Sequence, residues 1–390
     1  MGVLRLGLAL LVVYAHCGYP LGRLGVSAEN AVQIFYMISG FYMTLVLRGK
    51  YADPSPAGVR RFWLNRALRI FPAYLLVAGV ALLLCLYGQT LLGWMPQPAR
   101  YLRGWHDAGL VDVPELLWLA FSQLTMLGID TFNFFTLDGS GNIEPTAGVS
   151  ADRHEIWRLL LVPQAWSLSV ELYFYMVAPF LVRRGLKVLV AVALASFALR
   201  VLLWWFAGLN EDPWSYRFFP SELMFFMLGA IACHAYAQRA EEQERRRATG
   251  ATLPQKHWLL TRSGLLHLGL ALLAVTAVGL GRIDKPFGIG AVIAPLATAG
   301  AFLLLPGLFL ATRERRMDRL LGELSYPVYI SHVLVIWLVG HGSLRLGVGD
   351  FFIALGLVLL TAIALYQLVD RPIDRLRHAR LRAATAPVPV

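Results

Sequence analysis

An imidazole, a carboxylate and a hydroxyl stand in apolar surroundings at His16, Glu171 and Ser39, and guanidinium groups stand at Arg5, Arg66 and Arg69. Ionisable groups inside apolar stretches are costly, which makes each a functional candidate by default. Arg5 and His16 are eleven positions apart, which on a helix is three turns plus about 20°, so both lie on one face about 16 Å apart. A buried imidazole offers general-base catalysis near neutral pH. The alternative for His16 is a polar side chain hydrogen-bonded to a neighbouring helix.

Arg66 and Arg69 are three positions apart, so their planar, multi-donor groups can converge on one anion. The alternative is an ordinary basic flank to an apolar helix. Ser39-Gly40 lies in a helical stretch where small residues permit close packing. Trp166 and Ser167 open a further apolar run, and Glu171 follows Ser167 by four positions. There it can pair with His16 or Arg200, or orient the imidazole. Ser325, Tyr329 and His332, with Tyr326 beside them, form a polar stripe in another apolar helix.

Elements that position such groups must tolerate an apolar environment. Hydrophobic residues make up 57% of the 390 and charged residues 15%, and mean hydropathy is +0.59. Soluble chains carry about 45–50% apolar and about 25% charged residues. This balance excludes a disordered protein, a soluble multidomain enzyme and a fibrous repeat. The net charge of +11 is spread among apolar runs rather than gathered on one surface, which speaks for orientation in a bilayer and against nucleic acid. Three cysteines without CxxC spacing, and nine histidines without HxxxH or HExxH pairs, give no metal site and no disulfide framework.

A crossing helix needs about 20 largely apolar residues. Ten ranges qualify: 4–20, 31–48, 70–94, 164–182, 187–207, 218–238, 263–281, 287–311, 323–341 and 350–369. The first lacks an A-x-A cleavage site and is expected to be retained. The expected fold is an all-α integral membrane protein of about ten transmembrane helices. With both termini cytoplasmic, twenty-five of the 35 basic residues fall on the inner side, as the positive-inside rule demands. Residues 95–163 then form a long outer segment. Its apolar piece 116–129 is too short to cross comfortably and is expected to be a re-entrant or interfacial helix. Residues 1–372 read as one membrane domain and 373–390 as a basic cytoplasmic tail.

The combination Arg5-x10-His16, Ser39-Gly40-Phe41, Arg66-x-x-Arg69-Ile-x-Pro-x-Tyr74, Trp166-Ser-Leu-Ser-Val-Glu171 and Ser325-Tyr-x-x-Tyr-x-x-His332 resembles acyltransferase family 3, from about residue 4 to about 372. These are bacterial membrane O-acyltransferases of polysaccharides, glycolipids and related molecules. Two departures stand out. Asp370-Arg371-Pro372 replaces a frequent Glu-x-Pro, and the hydrolase-like domain that some members carry after the last span is not expected here.

The resemblance implies a cytoplasmic acyl-CoA donor, acetyl-CoA above all, and an extracytoplasmic carbohydrate or glycolipid acceptor. It implies donor contacts from Arg5, Arg66 and Arg69, and His16 as catalytic base or acyl carrier. Glu171 and Ser39 are further catalytic candidates; Trp166, Ser167, Ser325, Tyr326, Tyr329 and His332 are candidates for lining the pocket. The expected location is the inner membrane. Direct transfer and a covalent acyl intermediate both remain open. The competing readings are a transporter or flippase of a lipid-linked glycan, and a sensory or scaffolding membrane protein.

Overall fold

A computed structural model describes residues 1–148, 154–249, 262–280 and 289–377. The ten apolar ranges all fall on helices: α1 (Gly2–His16), α2 (Ala28–Arg48), α3 (Pro56–Leu92), α6 (Trp166–Leu181), α7 (Leu186–Ala207), α8 (Phe219–Thr249), α9 (Arg262–Leu280), α10 (Ile289–Thr312), α11 (Arg316–Val339) and α12 (Val348–Leu365). Six stretches among the described residues are long and apolar enough to cross a membrane: α2, α3, α7, Val292–Thr312 of α10, α11, and Val348–Arg377, which α12 opens. The expectation of ten crossings therefore exceeds what length and composition establish. The reason is physical for α1 and α6, which have 15 and 16 residues and span about 23 Å of a hydrocarbon layer about 30 Å thick.

The fold is mostly helical, consistent with an all-α membrane protein, and carries one small sheet. Between α3 and α6 the chain forms two helices, α4 (Gln97–Asp107) and α5 (Val113–Thr125), and three short strands, β1 (Phe135–Leu137), β2 (Ile143–Pro145) and β3 (His154–Glu155). The strands pair antiparallel in the order β2-β1-β3, with Thr136 opposite both Glu144 and Glu155. Strands this short leave no alternation to read in the sequence. The α5 helix starts earlier than the expected 116 because Asp112 and Glu115 form a capping box, which satisfies otherwise orphaned N–H groups. Its exposed Val113, Leu117, Phe121 and Leu124 recur at helical spacing and form one apolar stripe.

Local chemistry likewise starts α3 well before residue 70. The Ser55 side chain accepts the Gly58 N–H at 3.1 Å, and Pro56 occupies the first turn, where its missing N–H costs nothing. Arg66 and Arg69 consequently ride on the helix itself.

Two close helix contacts organise the interior. A Cβ at Gly40 would lie 1.9 Å from the Phe226 carbonyl oxygen, and one at Gly229 would lie 1.8 Å from that of Met37. The α2 and α8 backbones thus touch, as small residues allow between membrane helices. Helix α1 runs parallel to α11: Gly2 lies against Asp318 and Gly322, while His16 meets His332. Both Asp318 carboxylate oxygens accept N–H groups from the first turn of α1, from Gly2 at 2.8 Å and Val3 at 3.0 Å. Helices α2 and α11 are the enclosed ones, whereas α3, α7 and α12 turn Leu83, Leu86, Phe206 and Leu360 outward. Apolar surface on that scale suits lipid rather than water.

Candidate active site

Five helices meet around a cavity of about 310 Å³. Its polar lining includes Arg5 of α1, Ser39 of α2, Arg66 and Arg69 of α3, Ser167, Glu171 and Tyr175 of α6, and Ser325, Tyr326 and Tyr329 of α11, with Arg377 from beyond α12. Spacing explains the convergence. Arg66 and Arg69, Ser167 and Glu171, and Ser325 and Tyr329 each sit three or four positions apart and so share a helix face. Nine of the residues singled out in the sequence therefore line one space: Arg5, Ser39, Arg66, Arg69, Ser167, Glu171, Ser325, Tyr326 and Tyr329.

Four guanidinium groups around one cavity make an anion site. The Asp374 carboxylate, which is not itself a lining residue, contacts Arg69 at 3.5 Å and Arg377 at 2.6 Å. Nearby, burial and the charges of Arg377 and Arg66 lower the pKa of the Lys50 amine, which is the sign a positive field imposes. Glu171 is the counterweight. Its Oε1 accepts from Ser39 Oγ at 2.6 Å and from Tyr175 Oη at 2.6 Å.

That arrangement corrects the expectation that Glu171 pairs with His16 or Arg200. Arg200 is taken by the buried Glu222 at 2.6 Å. His16 is taken by His332, whose Nε2 lies 3.2 Å from His16 Nδ1, with the ring centroids 4.9 Å apart. His332 Nδ1 lies 2.7 Å from the Tyr329 carbonyl oxygen, which can only accept. His332 Nδ1 therefore carries its proton, and its Nε2 in the neutral ring is an acceptor. His16 Nδ1 faces that acceptor and the Val12 carbonyl at 3.0 Å, so it too is the protonated nitrogen. His16 Nε2 is left with its lone pair and no hydrogen bond to a described residue, the form a general base requires.

Arg5 and His16 do share the face of α1 that meets α11, as their spacing predicts. Arg5 approaches Gly322 and His16 approaches His332. The cavity, however, takes in Arg5 and stops at Ser167 and Tyr329, whose hydroxyls lie 2.6 Å apart. His16 and His332 are outside its lining, so this cavity does not itself reach the imidazole. Phe35, also in the lining, packs edge-on against Tyr329 at 6.2 Å. Trp166 is not a lining residue either. Its ring is covered by Arg217, with the guanidinium carbon 4.4 Å from the centroid, a cation–π contact at the start of α6.

Sequence reasoning missed Tyr175, Arg377 and the role of His332 as the partner of His16. Tyr175 had a signal, four positions after Glu171. Arg377 had one too, three positions after Asp374; residues from 373 onward read as a basic tail, whereas Arg377 is only 7% exposed. The three cysteines are unpaired, with Cys17 and Cys233 buried and Cys85 half-buried.

The family described as an acyltransferase domain matches residues 1–367. The exopolysaccharide production protein ExoZ of Rhizobium meliloti (strain 1021) is 27% identical over 371 residues, covering 91% of this chain and 92% of its own. No solved structure matches the chain. With nearly the whole sequence matched and the motif arginines gathered around one cavity, the chain belongs to acyltransferase family 3.

Proposed function

We propose that this membrane acyltransferase moves an acyl group, acetyl before others, from cytoplasmic acyl-CoA to a hydroxyl of an extracytoplasmic carbohydrate or glycolipid. Similarity to a protein named for exopolysaccharide production makes exopolysaccharide the first acceptor to try. In this reading all ten helices of the apolar ranges cross the inner membrane, both termini are cytoplasmic, and α5 lies on the outer surface with its apolar stripe in lipid.

Arg5, Arg66, Arg69 and Arg377 hold the donor phosphates, and the pantetheine arm extends past Ser39 and Glu171 toward Tyr329. His16 Nε2 takes the proton of the acceptor hydroxyl while its oxygen attacks the thioester carbon. The new C–O bond forms, the C–S bond breaks, and the departing thiolate receives the proton from His16. Tyr329 and Phe35 turn aside to join the donor cavity to the imidazole. General-base help of this kind is worth about 10²–10⁴ in rate.

The observation that carries this reading is the free lone pair of His16, held on the same helix face as an arginine of the anion cavity. The test is transfer of radiolabel from acetyl-CoA to exopolysaccharide by protein reconstituted in liposomes. Wild type should label the glycan, and His16→Ala should bind acetyl-CoA without labelling it. Wild-type turnover by His16→Ala, or glycan translocation with no label transferred, overturns the reading.

A further inference from the structure

A second chamber of about 270 Å³ adjoins the first, and Arg5, Tyr42 and Arg69 line both. Its remaining walls include Phe309 of α10, Arg313, and Asp318, Arg319 and Glu323 of α11. The acidic groups there are already engaged. Asp318 accepts the Gly2 and Val3 N–H groups, and Glu323 accepts the Tyr366 hydroxyl. The arginines keep donors to spare. Arg313 gives one to the Tyr236 hydroxyl at 2.7 Å. Neither Arg5 nor Arg319 makes a side-chain hydrogen bond to a described residue. Tyr42 and Phe309 stand edge to face, 5.9 Å between centroids, and put aromatic surface on the same wall. Arginine with aromatic surface is the chemistry that recognises a nucleoside phosphate.

Coenzyme A carries a diphosphate between its pantetheine arm and its adenosine, and a further phosphate on the ribose 3′ oxygen. Two chambers meeting at Arg5 and Arg69 match that layout. We propose that the second chamber binds the 3′-phosphoadenosine end of the donor. Arg319 and Arg313 contact the 3′-phosphate, the base lies against Tyr42 and Phe309, and the diphosphate crosses the shared wall at Arg5 and Arg69. This rests on the acyl-CoA reading above and adds a site within it. None of the spans or motifs read from the sequence singled out Arg313 or Arg319, because both look like ordinary positive flanks, Arg313 just after α10 and Arg319 in the first turn of α11.

The experiment compares equilibrium binding of acetyl-CoA and 3′-dephospho-acetyl-CoA to the full-length protein in nanodiscs. Wild type should prefer the 3′-phosphorylated donor by about tenfold or more, the scale of one charged hydrogen bond. Arg319→Gln, an exposed position that can change without disturbing the fold, should shrink that ratio, and Arg313→Gln combined with it should bring it near one. Affinity for the dephosphorylated donor should stay within about twofold. A wild-type ratio near one, or a ratio unchanged in both variants, overturns the proposal while leaving acyl-CoA as donor. Failure of wild type to bind either compound removes the donor reading and this site together.

Discussion

His16 and His332 lie on parallel helices with His332 Nε2 3.2 Å from His16 Nδ1. The orientation of that pair is settled by carbonyl groups on both sides, Val12 for His16 and Tyr329 for His332. Tyr329 thereby joins two regions. Its backbone oxygen fixes the tautomer of the histidine pair, and its hydroxyl faces the arginine-lined cavity beside Ser167. The same residue therefore touches both the cavity and the group that orients the imidazole.

His332 acts on His16 as a positioning residue, so its loss should fall on turnover. His332→Ala removes one of the two acceptors that hold His16 Nδ1–H and lets the ring turn or change tautomer. The expected result is a fall in kcat on the order of a hundredfold, with KM for acetyl-CoA within about twofold. His332→Asn, which can still offer an acceptor, should recover part of the loss. Equal kcat for wild type and His332→Ala would reduce the pair to packing.

Arg66 and Arg69 should govern donor affinity. Replacing either with Ala removes charged donors from the cavity, at a cost of about tenfold in KM for acetyl-CoA. The loss should shrink as salt is raised, since screening weakens the same attraction in wild type. Arg69→Ala also removes the longer of the two ion pairs of Asp374 and leaves the one to Arg377. A KM that ignores both substitutions at low salt would return these arginines to membrane orientation alone.

Glu171 and Ser39 distinguish direct from covalent transfer. Ser39 Oγ donates to a carboxylate that also accepts from Tyr175, which is a bond that holds Glu171 in place. Ser39→Ala should therefore retain transfer within about tenfold of wild type, and no acyl label should accumulate on the protein. Glu171→Gln keeps an acceptor for both hydroxyls, so it should melt near wild type while losing turnover through the missing charge. Complete inactivity of Ser39→Ala, together with label on Ser39 in wild type, would establish an acyl-serine route.

Much of the cavity was legible because helical spacing is local. Arg66 with Arg69, Ser167 with Glu171, and Ser325 with Tyr329 show their common faces within single apolar runs. What was hidden depends on which helices become neighbours. His332 was marked as part of a polar stripe, yet nothing local says that its partner lies on α1. Glu171 was marked for the imidazole, and the helix that reaches it is α2, through Ser39. Arg377 follows a motif that resembles the end of a domain, but the chain continues as helix through residue 377 and folds its guanidinium into the cavity. The strands between α3 and α6 have three and two residues, too few to show a period of two.

The segment between α3 and α6 is fastened to α6 through Asp130, which makes its stability depend on pH. Asp130 is 6% exposed, and its Oδ1 accepts from Ser169 at 2.7 Å and Tyr173 at 2.8 Å, both on α6. Burial raises its pKa above the ordinary carboxylate value, and the two hydroxyl donors only partly offset this. A raised folded-state pKa means that the folded protein binds the proton more tightly than the unfolded chain. Stability is then highest where the carboxyl is protonated, and it falls as pH climbs from the unfolded pKa to the folded one. Asp130→Asn keeps an oxygen for both hydroxyls and carries no charge. It should flatten that fall and melt at or above wild type near neutrality. Asp130→Ala leaves the hydroxyls without their acceptor and should cost about 1–3 kcal/mol. Thermal unfolding in detergent, followed from mildly acidic to neutral pH, checks both. Wild-type stability that rises across that range, or an Asn variant weaker than the Ala variant, would show that the carboxylate charge itself holds the segment.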